Sequence, residues 1–159
     1  MTHGSIGWLA DDGDLEAILD IDRLSFPEPW TRAMYEEERR HPDRAFLAVW
    51  REPGGSVSGY ISFWLVVDEI HINNVAVRPG ARARGIGRAL VEFAMREGTV
   101  RGATRALLDV RSANQTARRL YDRLGFTKVA VRPGYYAHPL DDALILAREL
   151  RNLESNPAP

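Results

Sequence analysis

The feature that most constrains the fold is a turn rich in arginine and glycine, which joins a strand-like segment to a helix-like one. Residues 69–77 are rich in β-branched side chains and end before Pro79-Gly80, which predicts a strand. The segment after the turn, up to about Val100, carries an apolar stripe typical of a helix, formed by Ile86, Leu90, Phe93 and Ala94. The N–H groups of the first helical turn are therefore expected to face whatever docks at the turn.

The chemistry of the turn predicts an anion site. Four arginines and no acidic residue lie between Arg78 and Arg88, so the local charge is about +4. Gly85 and Gly87 allow close approach of the backbone to a bound group, and the helix dipole favours negative charge. A phosphate or pyrophosphate is the expected ligand. The alternative is a glycine turn that only starts a helix and carries exposed arginines.

Two common nucleotide-binding patterns do not fit this turn. A P-loop needs Gly-Lys-Ser or Gly-Lys-Thr, and a dinucleotide fingerprint needs a third glycine at the position of Leu90. The segment instead resembles the Arg-x-x-Gly-x-Gly pyrophosphate loop of the GNAT acetyltransferases.

Further segments, spread over about residues 5–148, extend this resemblance. They are Glu69–Pro79, Val110–Asn114, Leu120–Phe126, the proline-tryptophan loop Ser25–Trp30 and Arg132–Tyr136. Together they are similar to the RimI-type ribosomal-protein alanine N-acetyltransferases. The resemblance implies an α/β (α+β) GNAT fold with a mixed, mostly antiparallel sheet of about six or seven strands and about four flanking helices. It also implies acetyl transfer from acetyl-CoA to a protein N-terminal α-amine, which in the family belongs to small-subunit ribosomal protein S18.

Hydrophobic periodicity and turn residues predict the remaining elements. Helices are expected at 11–24, with Asp11 or Asp12 as the cap, from a Thr31 cap to residue 40, and at 114–124. Strands are expected at 45–50, 57–67, 105–111, 126–132 and 141–148, with 53–56 as a hairpin turn and 133–139 as a connecting loop. Residues 1–150 are expected to form a single domain and residues 151–159 a flexible tail.

Composition excludes several other classes of function. The 159 residues carry a net charge of −1, which gives no argument for nucleic acid or an anionic membrane as a partner. The absence of cysteine excludes a disulfide framework, a thiolate metal site and a cysteine nucleophile, and no metal is expected. Neither a signal peptide nor a membrane-spanning run is recognisable, so a cytoplasmic location is expected.

The resemblance assigns acetyl-CoA, as co-substrate, to two stretches of the chain. The backbone of Val75, Ala76 and Val77 would bind the pantetheine arm, and a strand N–H would polarise the thioester carbonyl. The pyrophosphate would contact the turn at Arg82, Ala83, Arg84, Gly85, Ile86, Gly87 and Arg88.

Asn114 resembles the family asparagine that also contacts the pantetheine arm. Its alternative role is a helix cap, since asparagine is a preferred capping residue. Ser112 with Gln115, however, predicts a capping box that would start the same helix without Asn114.

Tyr121 matches the family tyrosine that protonates the departing thiolate. A phenol has a pKa of about 10, so it keeps its proton at neutral pH and can donate a hydrogen bond to the sulfur. The alternative is a core aromatic residue on the apolar stripe of its helix, formed by Ala117, Leu120 and Leu124.

The general base is expected to be Asp109, which stands where RimI-type enzymes carry a glutamate. Aspartate retracts the carboxylate by one methylene, so a bridging water is expected; pairing with Arg111 is the alternative. Glu69 and His71 are the next candidates, because other GNAT enzymes carry a water-relaying histidine at the position of His71, although a lone strand histidine can be structural. Glu28 follows, since it lies where eukaryotic N-terminal acetyltransferases carry a glutamate.

The acceptor is expected to contact two loops that carry Phe26, Glu28 and Trp30, and Tyr135 and Tyr136. Packing onto the domain is an equal alternative for Phe26 and Trp30. Two rival functions remain at this stage: acetylation of a small amine or a lysine side chain, and a non-catalytic acyl-CoA-binding sensor.

Overall fold

Seven strands and four α-helices alternate along residues 3–150, the part of the chain that this computed structural model describes. In chain order they are β1 (Ser5–Trp8), α1 (Asp12–Ser25), α2 (Arg32–Arg39), β2 (Ala45–Arg51), β3 (Val57–Val66), β4 (Glu69–Val77), α3 (Ile86–Val100), β5 (Arg105–Arg111), α4 (Gln115–Arg123), β6 (Thr127–Ala137) and β7 (Leu140–Glu149). The strand order is β1-β2-β3-β4-β5-β7-β6, and the β4–β5 pair is parallel. The mixed sheet and four helices confirm the predicted fold class. The tail predicted at 151–159 lies outside the described residues.

The chain divides into two compact units. The first contains the residues up to Trp64 together with Asn73–Ala94, and the second contains Leu65–Ile72 and the chain from Met95 onward. Strands β3 and β4 and helix α3 therefore contribute residues to both units. The single-domain organisation of residues 1–150 stays a prediction.

The first unit contains an antiparallel meander of β1, β2 and β3. Strands β2 and β3 pair from Ala45↔Trp64 to Arg51↔Val57, which confirms the predicted hairpin. Strand β1, which the sequence did not predict, pairs with β2 from Ser5↔Arg51 to Trp8↔Ala48. It is only four residues long, includes Gly7 and is largely exposed, so it carries no clear alternating pattern.

Helices α1 and α2 of the first unit begin where their capping residues predict. The Asp11 carboxylate accepts the N–H of Asp14 at 2.9 Å, and the Thr31 hydroxyl accepts the N–H of Met34 at 3.3 Å. Both helices pack on an apolar cluster whose buried members are Leu15, Ile18, Leu19, Ile21, Tyr35, Leu47, Val49, Val57, Tyr60 and Ala76.

The second unit contains the start of β4, strands β5, β6 and β7, and helix α4. The parallel pairs run from Glu69↔Arg105 to Ile72↔Leu108, and β7 pairs antiparallel with both β5 and β6. The predicted buried face of β5 is confirmed, since Ala106, Leu108 and Val110 are buried. No α-helix within residues 3–150 is long and apolar enough to cross a membrane.

The connecting loop predicted at 133–139 is wrong. Strand β6 continues to Ala137, which pairs with Leu140 at the start of β7. Pro133 and Gly134 indicated a break, but they lie at a register shift between Arg132 and Tyr136. Strand β6 is last in the strand order, and an edge strand tolerates a proline because one of its sides needs no ladder hydrogen bond.

A partly buried ion pair joins α1 to β2 within the first unit. The Arg51 guanidinium donates to both oxygens of Asp14 at 2.9 Å, and the Asp14 side chain is only 5% exposed. The hydrogen bond from Arg51 lowers the pKa of Asp14 most, and the backbone N–H of Ala10 lowers it further against the opposing effect of burial. The pair fixes the start of α1 against the sheet.

Replacing Asp14 by Asn should lower the free energy of unfolding by about 2 kcal/mol at pH 7, because a charge-assisted pair with a buried partner is lost. The pKa of Asp14 is lowered in the folded state, so the stability it contributes is present above the unfolded value of 3.8 and is lost as the pH falls through the folded pKa. Urea titrations at pH 7 and near pH 3 measure this. If the difference in the free energy of unfolding between wild type and variant grows on acidification, the ionised Asp14 carboxylate does not stabilise the fold.

Candidate active site

The turn between β4 and α3 has an unusual backbone. Ala83 has φ 63° and Gly85 has φ 81°, both in the left-handed region. The conformation is free for glycine but costs alanine about 1 kcal/mol, so the chain holds this shape against a local preference. The N–H of Ala89 donates to the Gly85 carbonyl at 3.0 Å, and the N–H groups of residues 86–88 precede this first helical bond. The predicted turn therefore presents main-chain donors at the start of a helix.

Gly59 on β3 allows the helix start to lie close to the sheet. A Cβ atom at this position would lie 3.1 Å from the Ala76 carbonyl oxygen, 3.2 Å from Ile86 and 3.4 Å from Leu90. Any larger side chain would push the first turn of α3 away from β3 and β4. No local sequence pattern indicates this role, because the crowding comes from residues distant along the chain.

The charge of about +4 predicted for the turn is substantially neutralised in the structure. Carboxylates from three other positions reach its arginines: Asp20 lies 2.5 Å from Arg78, Glu52 lies 2.8 Å from Arg84, and Glu92 lies 2.8 Å from Arg88. The expectation was wrong because two of these partners come from elsewhere in the first unit and the third from the next turn of α3.

Arg84 and Glu52 form the best-defined of these pairs. Two guanidinium nitrogens donate to the two carboxylate oxygens at 2.8 and 3.1 Å. Arg84 is the main cause that lowers the pKa of Glu52, so this carboxylate stays ionised. Arg82 differs, since it donates to neutral oxygens, the Val77 carbonyl at 3.0 Å and the Ser25 hydroxyl at 3.5 Å.

Strand β4 offers a further polar group directly before residues 75–77. The side-chain amide nitrogen of Asn73 is buried and has no hydrogen-bond partner within the described chain. Such a donor is costly to bury unless a ligand or water accepts from it. Together with the N–H groups of the turn, it fits a ligand that carries both carbonyl and phosphate oxygens.

Asn114 caps helix α4 in the second unit. Its side-chain oxygen accepts the N–H of Ala117 at 3.1 Å, so the capping alternative is confirmed. The capping box predicted from Ser112 and Gln115 is wrong, because the helix begins two residues later than that box requires. The cap uses only the oxygen of Asn114 and leaves the amide N–H groups available for another role.

Tyr121 lies on the buried face of α4. Its ring packs edge-on against Phe126 with centroids 5.7 Å apart, as the core-aromatic alternative predicts. Burial, and secondarily the neighbouring Tyr136, raise the pKa of Tyr121 well above its usual value. The phenol therefore stays protonated throughout the neutral range, which a proton donor requires.

Tyr136 links Tyr121 to Asp109 electrostatically within the second unit. Burial raises the pKa of Tyr136 most, and the Asp109 carboxylate raises it further. The Arg111 guanidinium lies 4.1 Å from the centre of the Tyr136 ring and donates to the carbonyls of His138 and Pro139. Arg111 therefore contacts Tyr136 and these two carbonyls rather than Asp109. The Asp109 side chain is exposed.

Glu69 and His71 lie at the other end of the β4–β5 pair. Glu69 is opposite Arg105 and lies 3.6 Å from its guanidinium, while His71 is opposite Leu107. Asp109 is four residues beyond Arg105, which is about 13 Å along the strand. Asp109 and Glu69 are therefore too far apart to act on one proton together.

The predicted acceptor residues have different environments. Phe26 and Trp30 are partly buried and pack against the apolar cluster of the first unit, which confirms the packing alternative, while Glu28 is exposed. Tyr135 and Tyr136 lie on strand β6 rather than in a loop, with ring centroids 5.1 Å apart. Within residues 3–150, no three acidic or histidine side chains form a group suited to a metal ion.

Residues 15–126 match the Acetyltransferase (GNAT) family. The chain belongs to this family. It is also 30% identical over 136 residues to the ribosomal protein bS18-alanine N-acetyltransferase of Escherichia coli, with 84% of this chain and 90% of the relative covered. The crystal structure of the ribosomal-protein-S18-alanine N-acetyltransferase from Escherichia coli superposes with a TM-score of 0.83 at 29% identity, covering 92% and 94% of the two chains.

A second relative is similar at the same level. The N-alpha-acetyltransferase of Sulfurisphaera tokodaii is 33% identical over 150 residues, which cover 86% of this chain and 88% of the relative. This GNAT protein is thus an acetyl-CoA-dependent N-acetyltransferase, and its fold is the GNAT fold expected from the sequence.

We expect Glu52 to compete electrostatically with the phosphates of acetyl-CoA for Arg84. Replacing Glu52 by Gln should tighten acetyl-CoA binding about threefold at low ionic strength, because one negative charge near an anionic ligand is removed. The gain should shrink in about 0.5 M salt as the field is screened. Isothermal titration calorimetry measures both.

Glu37→Gln is the matched control, since it removes the same charge from an exposed pair with Arg40 on α2. It should leave acetyl-CoA affinity unchanged. If Glu52→Gln binds no more tightly than this control, Glu52 does not restrain Arg84.

Proposed function

We propose that this GNAT enzyme transfers acetyl from acetyl-CoA to the N-terminal α-amine of a protein, with an alanine-starting small-subunit ribosomal protein as the acceptor. The observation that carries the proposal is the left-handed backbone at Ala83 and Gly85, which brings the N–H groups at the start of α3 to the turn where an anion would bind. The names of the two relatives support the acceptor, since one names an alanine of ribosomal protein bS18 and the other names N-alpha-acetylation. A cytoplasmic location is part of the proposal.

Acetyl-CoA would bind to the first unit through two kinds of donor. The N–H groups of residues 86–88 and the Arg82 guanidinium would hold the diphosphate, while the backbone of residues 75–77 would bond to the pantetheine arm. The buried amide nitrogen of Asn73 would donate a hydrogen bond to a carbonyl oxygen of the ligand. The free amide N–H groups of Asn114 would contribute a further contact to the pantetheine arm.

The reaction would proceed by direct attack, without a covalent enzyme intermediate. A protein α-amine has a pKa of about 7.7 to 8.0, so a sizeable minority is neutral at pH 7. The amine nitrogen forms a bond to the thioester carbon and releases its proton to a base, and the tetrahedral oxyanion is held by a strand N–H. The C–S bond then breaks, and Tyr121 donates its proton to the leaving sulfur.

Asp109 is the proposed base, with a water molecule relaying the proton. Its carboxylate is exposed and its neighbour Arg111 is directed elsewhere, so water can reach it. Glu69 ranks lower because it lies 3.6 Å from the cation of Arg105, and His71 shares its end of the strand. Glu28, exposed in the loop after α1, is the last candidate.

Five side chains would contact the acceptor: Phe26, Glu28, Trp30, Tyr135 and Tyr136. Tyr135 is 54% exposed, which suits a residue that binds a mobile peptide end through its ring and hydroxyl. Phe26 and Trp30 present only part of their rings, so they would shape the loop as well as contact the peptide.

A panel of acceptors tests the proposed substrate. With acetyl-CoA, an Ala-starting peptide should react at least about tenfold faster than the same peptide with a blocked N-terminus, a lysine peptide or a polyamine, because only the free α-amine is substantially neutral near pH 7. Release of the thiol is measured continuously. Preference for a lysine peptide or a polyamine would replace the proposed acceptor, and acetyl-CoA binding without thiol release for any amine would indicate a sensor.

The replacement Tyr121→Phe tests the proposed acid. It should lower kcat about 100-fold or more, since the proton for the thiolate is lost, and leave the Kd for acetyl-CoA within about twofold. The ring packing on Phe126 is retained, so the melting temperature should change little. Turnover equal to that of the wild type would remove Tyr121 from the mechanism.

A further inference from the structure

A buried carboxylate that acetyl transfer does not use lies at the centre of the first unit. Asp22, near the end of α1, is completely buried. The hydroxyl of Tyr35 on α2 donates to one of its oxygens, and the hydroxyl of Tyr60 on β3 donates to the other. The two hydroxyl oxygens are 3.1 Å apart. These three residues, the Asp22 cluster, join two helices and a strand.

The residues of the cluster suit a role in fixing the arrangement of the surrounding elements rather than in increasing the stability of the fold. Burial raises the pKa of Asp22, and its two hydrogen-bond donors are phenols rather than cations. Apolar residues of similar size would fill such a site at lower cost, since the desolvation of a carboxyl group would be avoided. A fully bonded polar group, however, permits only one relative arrangement of the elements that carry its partners.

The cluster holds both ends of the loop between α1 and α2. We call residues 26–31 the acceptor loop. At its start, the N–H of Phe26 donates to the backbone carbonyl of Asp22 at 2.9 Å. At its end, the Trp30 ring lies 5.2 Å from the ring of Tyr35. The residues that fix the direction of the loop at each end are therefore the residues that meet in the cluster.

We propose that the Asp22 cluster is a positioning device that holds the acceptor loop in the conformation that binds the peptide end. This inference rests on the proposed function, in which Phe26, Glu28 and Trp30 contact the acceptor. Loss of the Tyr35 hydroxyl frees α2 from α1, and loss of the Tyr60 hydroxyl frees α1 from β3. In either case the loop then populates several conformations. The apparent affinity for the acceptor falls in proportion to the fraction of molecules whose acceptor loop has the binding conformation. The rate of acetyl transfer in the bound state is unchanged.

Tyr35→Phe and Tyr60→Phe test the inference, because each removes one hydroxyl and keeps the ring. Each should raise the acceptor KM about five- to tenfold and leave kcat and the Kd for acetyl-CoA within about twofold. Asp14→Asn is the matched control, because it breaks the other buried carboxylate interaction of α1, at the opposite end of the helix. It should lower the melting temperature without changing the acceptor KM.

Limited trypsin digestion gives a readout that needs no activity. Cleavage after Arg32, at the exit of the acceptor loop, should be faster in both phenylalanine variants than in wild type or Asp14→Asn. If the phenylalanine variants lower the melting temperature as Asp14→Asn does, but keep the wild-type acceptor KM and cleavage rate, the cluster is only structural and the inference is wrong. If the wild type acetylates no N-terminal peptide, the proposed function is wrong. An unchanged cleavage rate in the two phenylalanine variants would separately show that the cluster does not hold the acceptor loop.

Discussion

The site depends on the main-chain N–H groups at the start of α3, which make no hydrogen bond within the helix. Ala83 and Gly85 in the left-handed region turn the chain from β4 into the helix within a few residues. Gly59 then lets that helix start approach the sheet, because even a methyl group would meet the Ala76 carbonyl. A backbone held in this way would offer its donors to the proposed anion in the conformation it already has.

Side-chain charge plays a smaller part in the site than the arginine count suggests. Arg84 is paired with Glu52 and Arg78 with Asp20, so these cations already have partners before any phosphate arrives. Arg82 is bonded to neutral oxygens and can exchange them for a phosphate at little electrostatic cost. The site therefore combines a fixed set of backbone donors with arginines whose availability is set by nearby carboxylates.

Burial raises the pKa of two acidic groups of this enzyme, Tyr121 and Asp22, to different effect. It raises the pKa of Tyr121 and so keeps a proton on a group proposed to donate one to a thiolate. It also raises the pKa of Asp22, which takes no part in acetyl transfer but bonds to Tyr35 and Tyr60. Desolvation thus has a proposed chemical role in the second unit and a proposed role in shaping a loop in the first.

The sequence by itself determined the elements whose signals are local. These are α1 and α2 with their caps Asp11 and Thr31, the β2–β3 hairpin and the glycine turn before α3. The resemblance to GNAT enzymes added candidate roles for Tyr121 and Asp109, which remain proposals. Tertiary structure alone decided features that depend on residues far apart along the chain. They are strand β1, the extension of β6 through Pro133, the counterions of the arginines, the crowding at Gly59 and the Asp22 cluster. A pattern in one segment does not record which distant residue will occupy the adjacent space, and that occupant determines whether a charge is neutralised, a proline is tolerated or a carboxylate is buried.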